Sequence, residues 1–166
     1  MPRLPPDATT TSSRRTRPTP DEGRHDPYRE TGKLPEPTAC PDCSAVFENG
    51  RWQWGDAPPG AASHRCPACR RTLDHFPAGI VALSGTFLRE HRDDIMACVR
   101  RVCDRAYLEH PLERLMAIDE DDAEVRIMAT SAHLARAIGR ALHEAWKGEL
   151  DLDPRAEGMP RVSWSR

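Results

Sequence analysis

The chain has 166 residues, of which 38% are hydrophobic and 30% charged, with 16 prolines and a formal net charge of −2. This length accommodates one ordinary domain with a small additional module and excludes two large domains. The near-neutral charge excludes a uniformly basic nucleic-acid binder, so any such surface must be local, and no apolar run approaches the length of about 18 residues that a membrane span requires.

The N-terminal segment, residues 1–37, is rich in Pro, Ser, Thr and charged residues and poor in large apolar residues. This composition is typical of chains that stay disordered, and it predicts a disordered tail. The segment lacks the apolar stretch of a secretory signal, and its prolines oppose the amphipathic helix of a transit peptide. We therefore expect a cytoplasmic protein, whose six cysteines serve as metal ligands or free thiols before disulfides.

Two Cys-x-x-Cys pairs are the strongest signal in the sequence. "CPDC" contributes Cys40 and Cys43, and "CPACRR" contributes Cys66 and Cys69. Zinc prefers four tetrahedral ligands, and two such turns supply them, so the spacing predicts one structural Zn²⁺. A redox function would use one pair and leave the other without a purpose. Four sulfurs leave no open position for water, so the metal is expected to stabilise the fold and not to catalyse hydrolysis.

The segment between the two pairs, "VFENGRWQW", has the pattern of a β-hairpin. Asn49 and Gly50 can supply the positive φ angles of a type I′ turn between two short arms that carry aromatic residues. A hairpin between two cysteine pairs is the body of a zinc ribbon, which we predict over residues 38–72.

The remaining sequence, residues 82–166, predicts a small domain in the order helix, strand, strand, helix, strand, strand. Ser84 is predicted to cap the first helix, and Thr130 or Ser131 the second. The strands are "ERLMAI" and "AEVRIMA" around the acidic turn "DEDD", then "ELDLD" and "RVSWS". This order favours an α+β fold, with an antiparallel or mixed sheet covered on one side by helices.

Three arginines beside the second cysteine pair, Arg65, Arg70 and Arg71, allow two interpretations. They can offset the negative charge of a zinc ion held by four thiolates. Alternatively, they can bind phosphate groups beside the stacking surfaces of Trp52 and Trp54. The residue types alone leave both interpretations open.

A second candidate surface lies on the predicted second helix, where basic residues recur at three- and four-residue steps along one face. These are His133, Arg136, Arg140, His143 and Lys147. RNA binding is one interpretation; an ordinary solvated helix face is the other, and the interruption by Glu144 favours it. The sequence contains no Gly-rich phosphate loop, no nucleophile elbow and no His-Glu-x-x-His motif, so nothing in it points to an enzyme or to a small-molecule substrate.

The segments "CPDCSAVFENGRWQW" and "HRCPACRRTLDHFPAGIVALSGTFLREHRDDI" resemble a small bacterial family of uncharacterised zinc-ribbon proteins. The chain is also similar, more distantly, to the large-ribosomal-subunit export adaptor family, the nonsense-mediated-decay protein three family and its archaeal relatives. The similarity covers residues 38–152 and includes "MATSAHLARAIGRALHEAWKGELDL". Only Cys40, Cys43, Cys66 and Cys69 carry over, as zinc ligands. This chain has one complete zinc set where the eukaryotic members have more cysteine pairs, and it lacks their long C-terminal region with export signals.

The resemblance implies association with ribosomal RNA or a ribosomal particle. We therefore expect a cytoplasmic, non-enzymatic zinc-ribbon protein that binds RNA through Arg65, Arg70, Arg71, Arg136 and Arg140. The alternative is a zinc-ribbon adaptor that binds another protein and no nucleic acid.

Overall fold

The computed structural model of the chain describes residues 26–153 and 159–166. Most of the predicted disordered tail, residues 1–25, lies outside the described residues. The rest of it, residues 26–37, contains no helix or strand. It contacts the helix over Pro67–Leu73, where Arg70 pairs with Glu30 and Arg71 with Asp26. Within the described ranges, no helix is both long and apolar enough to cross a membrane.

Residues 38–73 form a small N-terminal unit, called the cysteine module below. It contains β1 (Thr38–Ala39), β2 (Ala45–Glu48), β3 (Arg51–Trp54), β4 (Ala62–Ser63) and helix α1 (Pro67–Leu73), with the strand order β3-β2-β1-β4. The predicted hairpin is confirmed, because β2 and β3 pair antiparallel across Asn49 (φ 55°) and Gly50 (φ 75°). The zinc-ribbon topology itself stays a prediction.

Residues 79–166 form the larger unit, called the α+β domain. It contains β5 (Gly79–Ser84), α2 (Thr86–Glu90), α3 (Arg92–Glu109), β6 (Leu115–Glu120), β7 (Glu124–Ala129), α4 (Ala132–Trp146), β8 (Glu149–Asp153) and β9 (Arg161–Ser165). Its five-stranded sheet has the order β6-β7-β5-β9-β8. The sheet is mixed, as predicted, because β5 pairs antiparallel with β7 and parallel with β9.

The prediction that Ser84 caps a long helix is wrong. Ser84 is the last residue of β5, and α3 begins at Arg92 after the short helix α2. The predicted element order therefore lacks the central strand of the sheet. The reason is physical: "GIVALS" is an apolar run with neighbouring strands on both sides, so it lacks the strong polar alternation that marks an exposed strand.

The second predicted helix is confirmed as α4. The Oγ of Ser131 accepts a hydrogen bond from the Leu134 N–H at 3.0 Å, which is the N-cap contact expected from the sequence. The last two strands also agree with the prediction, since Leu150 pairs with Trp164 and Leu152 with Val162 across β8 and β9.

The core of the α+β domain lies between the sheet and the helices α3 and α4. One face of the sheet is apolar and fully buried, and it includes Leu83, Ile127 and Trp164, each 0% exposed. Helix α4 approaches this face closely at Gly139, where an added Cβ would lie 2.5 Å from Cγ1 of Val162. The opposite face of the sheet carries half-buried residues such as Ala82, so the architecture has two layers.

Candidate metal centre

Four cysteines of the cysteine module converge on one point. Cys40 follows β1, Cys43 lies in the turn before β2, Cys66 is the N-cap residue of α1, and Cys69 lies in the first turn of α1. Their sulfur atoms all lie within 4.8 Å of one another, and the six cysteines of the chain are all free. The structure therefore brings together the four residues that the spacing predicts.

Backbone geometry explains why these sulfurs point inward. In the turn that contains Cys40 and Cys43, the Cys40 N–H donates to the Ala45 carbonyl at 2.8 Å, and Ser44 adopts a left-handed conformation with φ 61°. The first turn of α1 places the Cys69 N–H 3.4 Å from Sγ of Cys66, and the Cys66 N–H lies 3.4 Å from Sγ of Cys40. Backbone N–H donors of this kind favour the thiolate form of a cysteine, which is the form that binds a metal.

A fifth residue, Arg114, completes the centre from the α+β domain. It lies in the loop between α3 and β6, and its guanidinium nitrogens approach Sγ of Cys43 at 3.0 Å and Sγ of Cys69 at 3.3 Å. A longer contact of 3.7 Å reaches Sγ of Cys66. Burial opposes the charged form of Arg114, but the hydrogen bond and charge of Cys43 raise the pKa of Arg114 above its usual range.

This environment shifts the pKa values of the thiols in different directions when no metal is bound. Burial opposes ionisation of Cys43, but hydrogen bonds from the Ala45 backbone and from Arg114 lower the pKa of Cys43 to about 7. Burial raises the pKa of Cys69 to about 11, although Arg114 partly opposes it. Burial also raises the pKa of Cys66 well above its ordinary value. A metal ion must therefore displace protons when it binds here.

The donor set fits a single thiophilic metal ion. Cys40 is 3% exposed and Cys66 is 0% exposed, whereas Cys43 and Cys69 are half-buried. Four sulfurs satisfy the tetrahedral preference of zinc, and N–H donors around them offset the negative charge of a tetrathiolate. The four cysteines can therefore hold one metal ion.

The arginines beside the second cysteine pair contact carboxylates. Arg65 pairs with Asp42, Arg70 pairs with Glu30 at 2.5 Å, and Arg71 pairs with Asp26. The side chain of Arg71 is 5% exposed, and its guanidinium also lies over the Tyr28 ring, 4.5 Å from the centroid.

One interpretation of these arginines was that they offset the negative charge of the sulfurs. Arg114, and not one of these three, makes the most direct contacts with the sulfurs. RNA contact through Arg65, Arg70 and Arg71 stays a prediction.

The predicted stacking residues lie in two different environments. Trp52 is 9% exposed and packs on Phe47, so it forms part of the small core of the cysteine module. Trp54 packs on Tyr107 of α3, with ring centroids 4.8 Å apart and the ring planes tilted by 53°, and donates its Nε1–H to the Tyr107 carbonyl at 2.6 Å. Trp54 therefore joins the cysteine module to the α+β domain.

The predicted basic residues of α4 lie in the α+β domain. Arg140 is exposed and Arg136 is half-buried. RNA contact by either residue also stays a prediction.

Arg114 is the site residue that the sequence analysis missed. It lies 45 residues beyond Cys69 in the chain, in the unremarkable segment "HPLERLM". No spacing rule joins a single arginine to a distant cysteine set, so only the folded arrangement identifies it. Its function as a sulfur contact depends on how the two modules pack together.

A cleft of about 1260 Å³ lies between the two modules. One wall comes from the cysteine module, including Phe47 and Trp52, and another from the α+β domain, including Leu112 and His133. Residues 26–30 line it as well. The shape of the cleft therefore depends on how the cysteine module is held against the α+β domain.

Comparison of the chain with protein-family models, with curated proteins and with solved structures finds no match in any of the three. The resemblance to zinc-ribbon families stays a prediction.

Proposed function

We propose that the chain is a non-enzymatic zinc-binding protein that acts as an adaptor for another protein. The four-cysteine centre supports the first part of this proposal, because four sulfurs leave no open ligand position for a substrate or a reactive water. The second part is supported chiefly by exposed apolar side chains that lie close in the chain to residues of the metal centre, described next.

This group is called the apolar rim and consists of Leu73, Tyr107, Leu108 and Leu115. Leu108 is 74% exposed and Leu73 is 62% exposed. Each member lies close in the chain to a contact of the centre. Leu73 is one helical turn beyond Cys69, Leu115 follows Arg114, and Leu108 follows Tyr107, which packs on Trp54. Exposed large apolar side chains beside a site favour a protein partner, and aromatic residues are enriched at such interfaces.

The ion pairs of the three predicted phosphate-binding arginines also favour a protein partner over RNA. A phosphate group would have to displace Asp42, Glu30 or Asp26 from its arginine. Displacing a carboxylate from a half-buried arginine removes a charge-assisted contact, which reduces the gain from binding phosphate.

Substituting Leu108 by Asp tests the proposal. Leu108 is exposed, so the variant should fold, and a carboxylate in a buried apolar contact should weaken partner binding by a factor of ten or more, about 1.4 kcal/mol. Ala123→Asp is the matched control, because it adds the same charge at an exposed position at the far end of β6.

The measurement is affinity purification after nuclease treatment, followed by titration of the purified partner. A protein that binds the wild type and Ala123→Asp but not Leu108→Asp supports the proposal. Loss of all bound material on nuclease treatment, together with salt-sensitive sedimentation with ribosomes, would favour RNA binding instead. Equal binding by the Leu108 and Ala123 variants would exclude the apolar rim as the partner surface.

A further inference from the structure

The backbone of Arg114 lies in the α+β domain, whereas its side chain contacts the cysteine module. Within the α+β domain, its backbone N–H donates to Oγ1 of Thr130 at 2.7 Å, and its carbonyl accepts from the Thr130 N–H at 2.9 Å. Its Nε–H donates to the Pro111 carbonyl at 2.6 Å. These bonds fix the loop against the start of α4, so the guanidinium cannot move far without moving the loop.

The other end of the same side chain faces the sulfurs of Cys43, Cys66 and Cys69. The guanidinium also lies 5.5 Å from the centroid of the Trp54 ring, on the contact between the modules. Hydrogen-bond donors around the ligands of a metal site hold those ligands in place, and their loss commonly weakens metal binding by about 10–100-fold.

A bound metal ion determines how firmly the sulfurs are held in front of Arg114. With zinc bound, four thiolates make the centre negative, and the half-buried guanidinium has an anionic partner. Without the metal, nothing fixes the three sulfurs together in the arrangement that the guanidinium contacts. Metal occupancy and the position of Arg114 should therefore depend on each other.

We propose that Arg114 is a positioning residue that couples metal binding to the docking of the cysteine module on the α+β domain. Metal binding strengthens the contact of Arg114 with the sulfurs and thereby holds the loop at residues 110–114 and the start of α4. Loss of the metal weakens this contact and thereby loosens the loop. Because coupling between two equilibria is reciprocal, docking of the modules must in turn strengthen metal binding.

The first experiment compares metal affinity in the wild type and Arg114→Gln by competition with a chromophoric chelator. We expect Arg114→Gln to bind zinc with the same stoichiometry but about 10–100-fold more weakly. Cobalt(II) substitution gives a second readout, because loss of N–H···S contacts should shift the sulfur-to-cobalt charge-transfer bands. Arg65→Gln is the matched control: its guanidinium adds positive charge near Cys40 and Cys69 but bonds to Asp42, so its cobalt bands should stay unshifted.

The second experiment measures hydrogen exchange at the Thr130 amide, which donates to the Arg114 carbonyl. In the wild type, stripping the metal should accelerate this exchange, although Thr130 is far from the cysteines in the chain. In Arg114→Gln the exchange should already be fast with zinc bound, and metal removal should change it little.

Equal zinc affinity and identical cobalt spectra for the wild type and Arg114→Gln would overturn the proposal. Thr130 exchange in the wild type that ignores the metal would overturn it too. If Arg114→Gln does not fold, Arg114→Lys provides the same test, since it keeps the charge and loses the planar donors. None of these readouts involves the apolar rim, so failure here and failure of the adaptor proposal are distinguishable.

Discussion

The cysteine module and the α+β domain are held together by different means. The buried core of the cysteine module contains Cys40, Ala45, Trp52, Cys66 and Ala68, so two of its five members are cysteines of the metal centre. Among the described residues, the core of the α+β domain contains 17 buried ones, drawn from the sheet and from the helices α2, α3 and α4. A core as small as the first rarely stabilises a fold alone, which is why small modules use metals or disulfides.

This difference predicts that a metal bound at the centre stabilises the cysteine module far more than the α+β domain. The contacts between the cysteine module and the α+β domain then determine how far metal binding affects the α+β domain. These contacts are those of Arg114 with the sulfurs and of Trp54 with Tyr107. The predictions below test this contrast in order of expected effect.

Removal of the metal is expected to have the largest effect. Chelation, or the substitution Cys66→Ser, should unfold the cysteine module and leave the α+β domain folded. Structural zinc in small modules contributes apparent binding free energies of about 10–16 kcal/mol, far more than the core of this module can replace. Near-ultraviolet circular dichroism should lose the signal of Trp52, which packs at the centre of the module, and keep that of the fully buried Trp164.

Cys103→Ala is the control for that experiment. Cys103 is buried in α3, outside the metal centre, and burial raises its pKa to about 11. The variant should bind one metal ion as the wild type does. Global unfolding of both modules on chelation would contradict the contrast, because it would show that the larger core also depends on the metal.

The close approach of α4 to the sheet is expected to produce the next largest effect. In Gly139→Ala, the added methyl group would lie 2.5 Å from Cγ1 of Val162 and 3.0 Å from Cδ1 of Leu150. Overpacking of this kind usually lowers the free energy of unfolding by about 1–3 kcal/mol. Urea denaturation, followed by far-ultraviolet circular dichroism, measures the change.

Gly55→Ala is the matched control for Gly139→Ala, since an added methyl group at Gly55 would meet no atom within 4 Å. Its free energy of unfolding should change little. Metal stoichiometry should be unaffected by both substitutions, because neither glycine belongs to the metal centre. A stability loss in Gly139→Ala that is accompanied by loss of the metal would indicate that the two modules do not unfold separately.

The sequence predicted those parts of the molecule whose determinants are local. The Cys-x-x-Cys spacing identified the four converging cysteines, Asn49 and Gly50 identified the hairpin, and Ser131 identified the start of α4. Each of these depends on residues within a few positions of one another. The strands β8 and β9 were likewise predicted from their own short segments.

The sequence failed where the determinants are distant in the chain or where a pattern was ambiguous. The apolar run of β5 carried no strong alternation, so Ser84 was interpreted as a helix cap. Composition predicted a disordered tail over residues 1–37 and gave no sign that Asp26 and Glu30 pair with arginines of α1. Arg114 could not be found at all, because its importance arises from the packing of one module on the other.

The smallest expected effect concerns the cap of α4. Ser131→Ala removes the oxygen that accepts the Leu134 N–H at 3.0 Å and should lower the free energy of unfolding of the α+β domain by about 1 kcal/mol. Ser163→Ala on the exposed side of β9 is the control, with no cap to lose. Ser131 follows Thr130, whose hydroxyl holds the Arg114 loop, so thermal denaturation should be measured with and without zinc. If fraying of α4 also weakens zinc binding, the start of this helix transmits the coupling through Arg114; if only the stability changes, the coupling is confined to the loop.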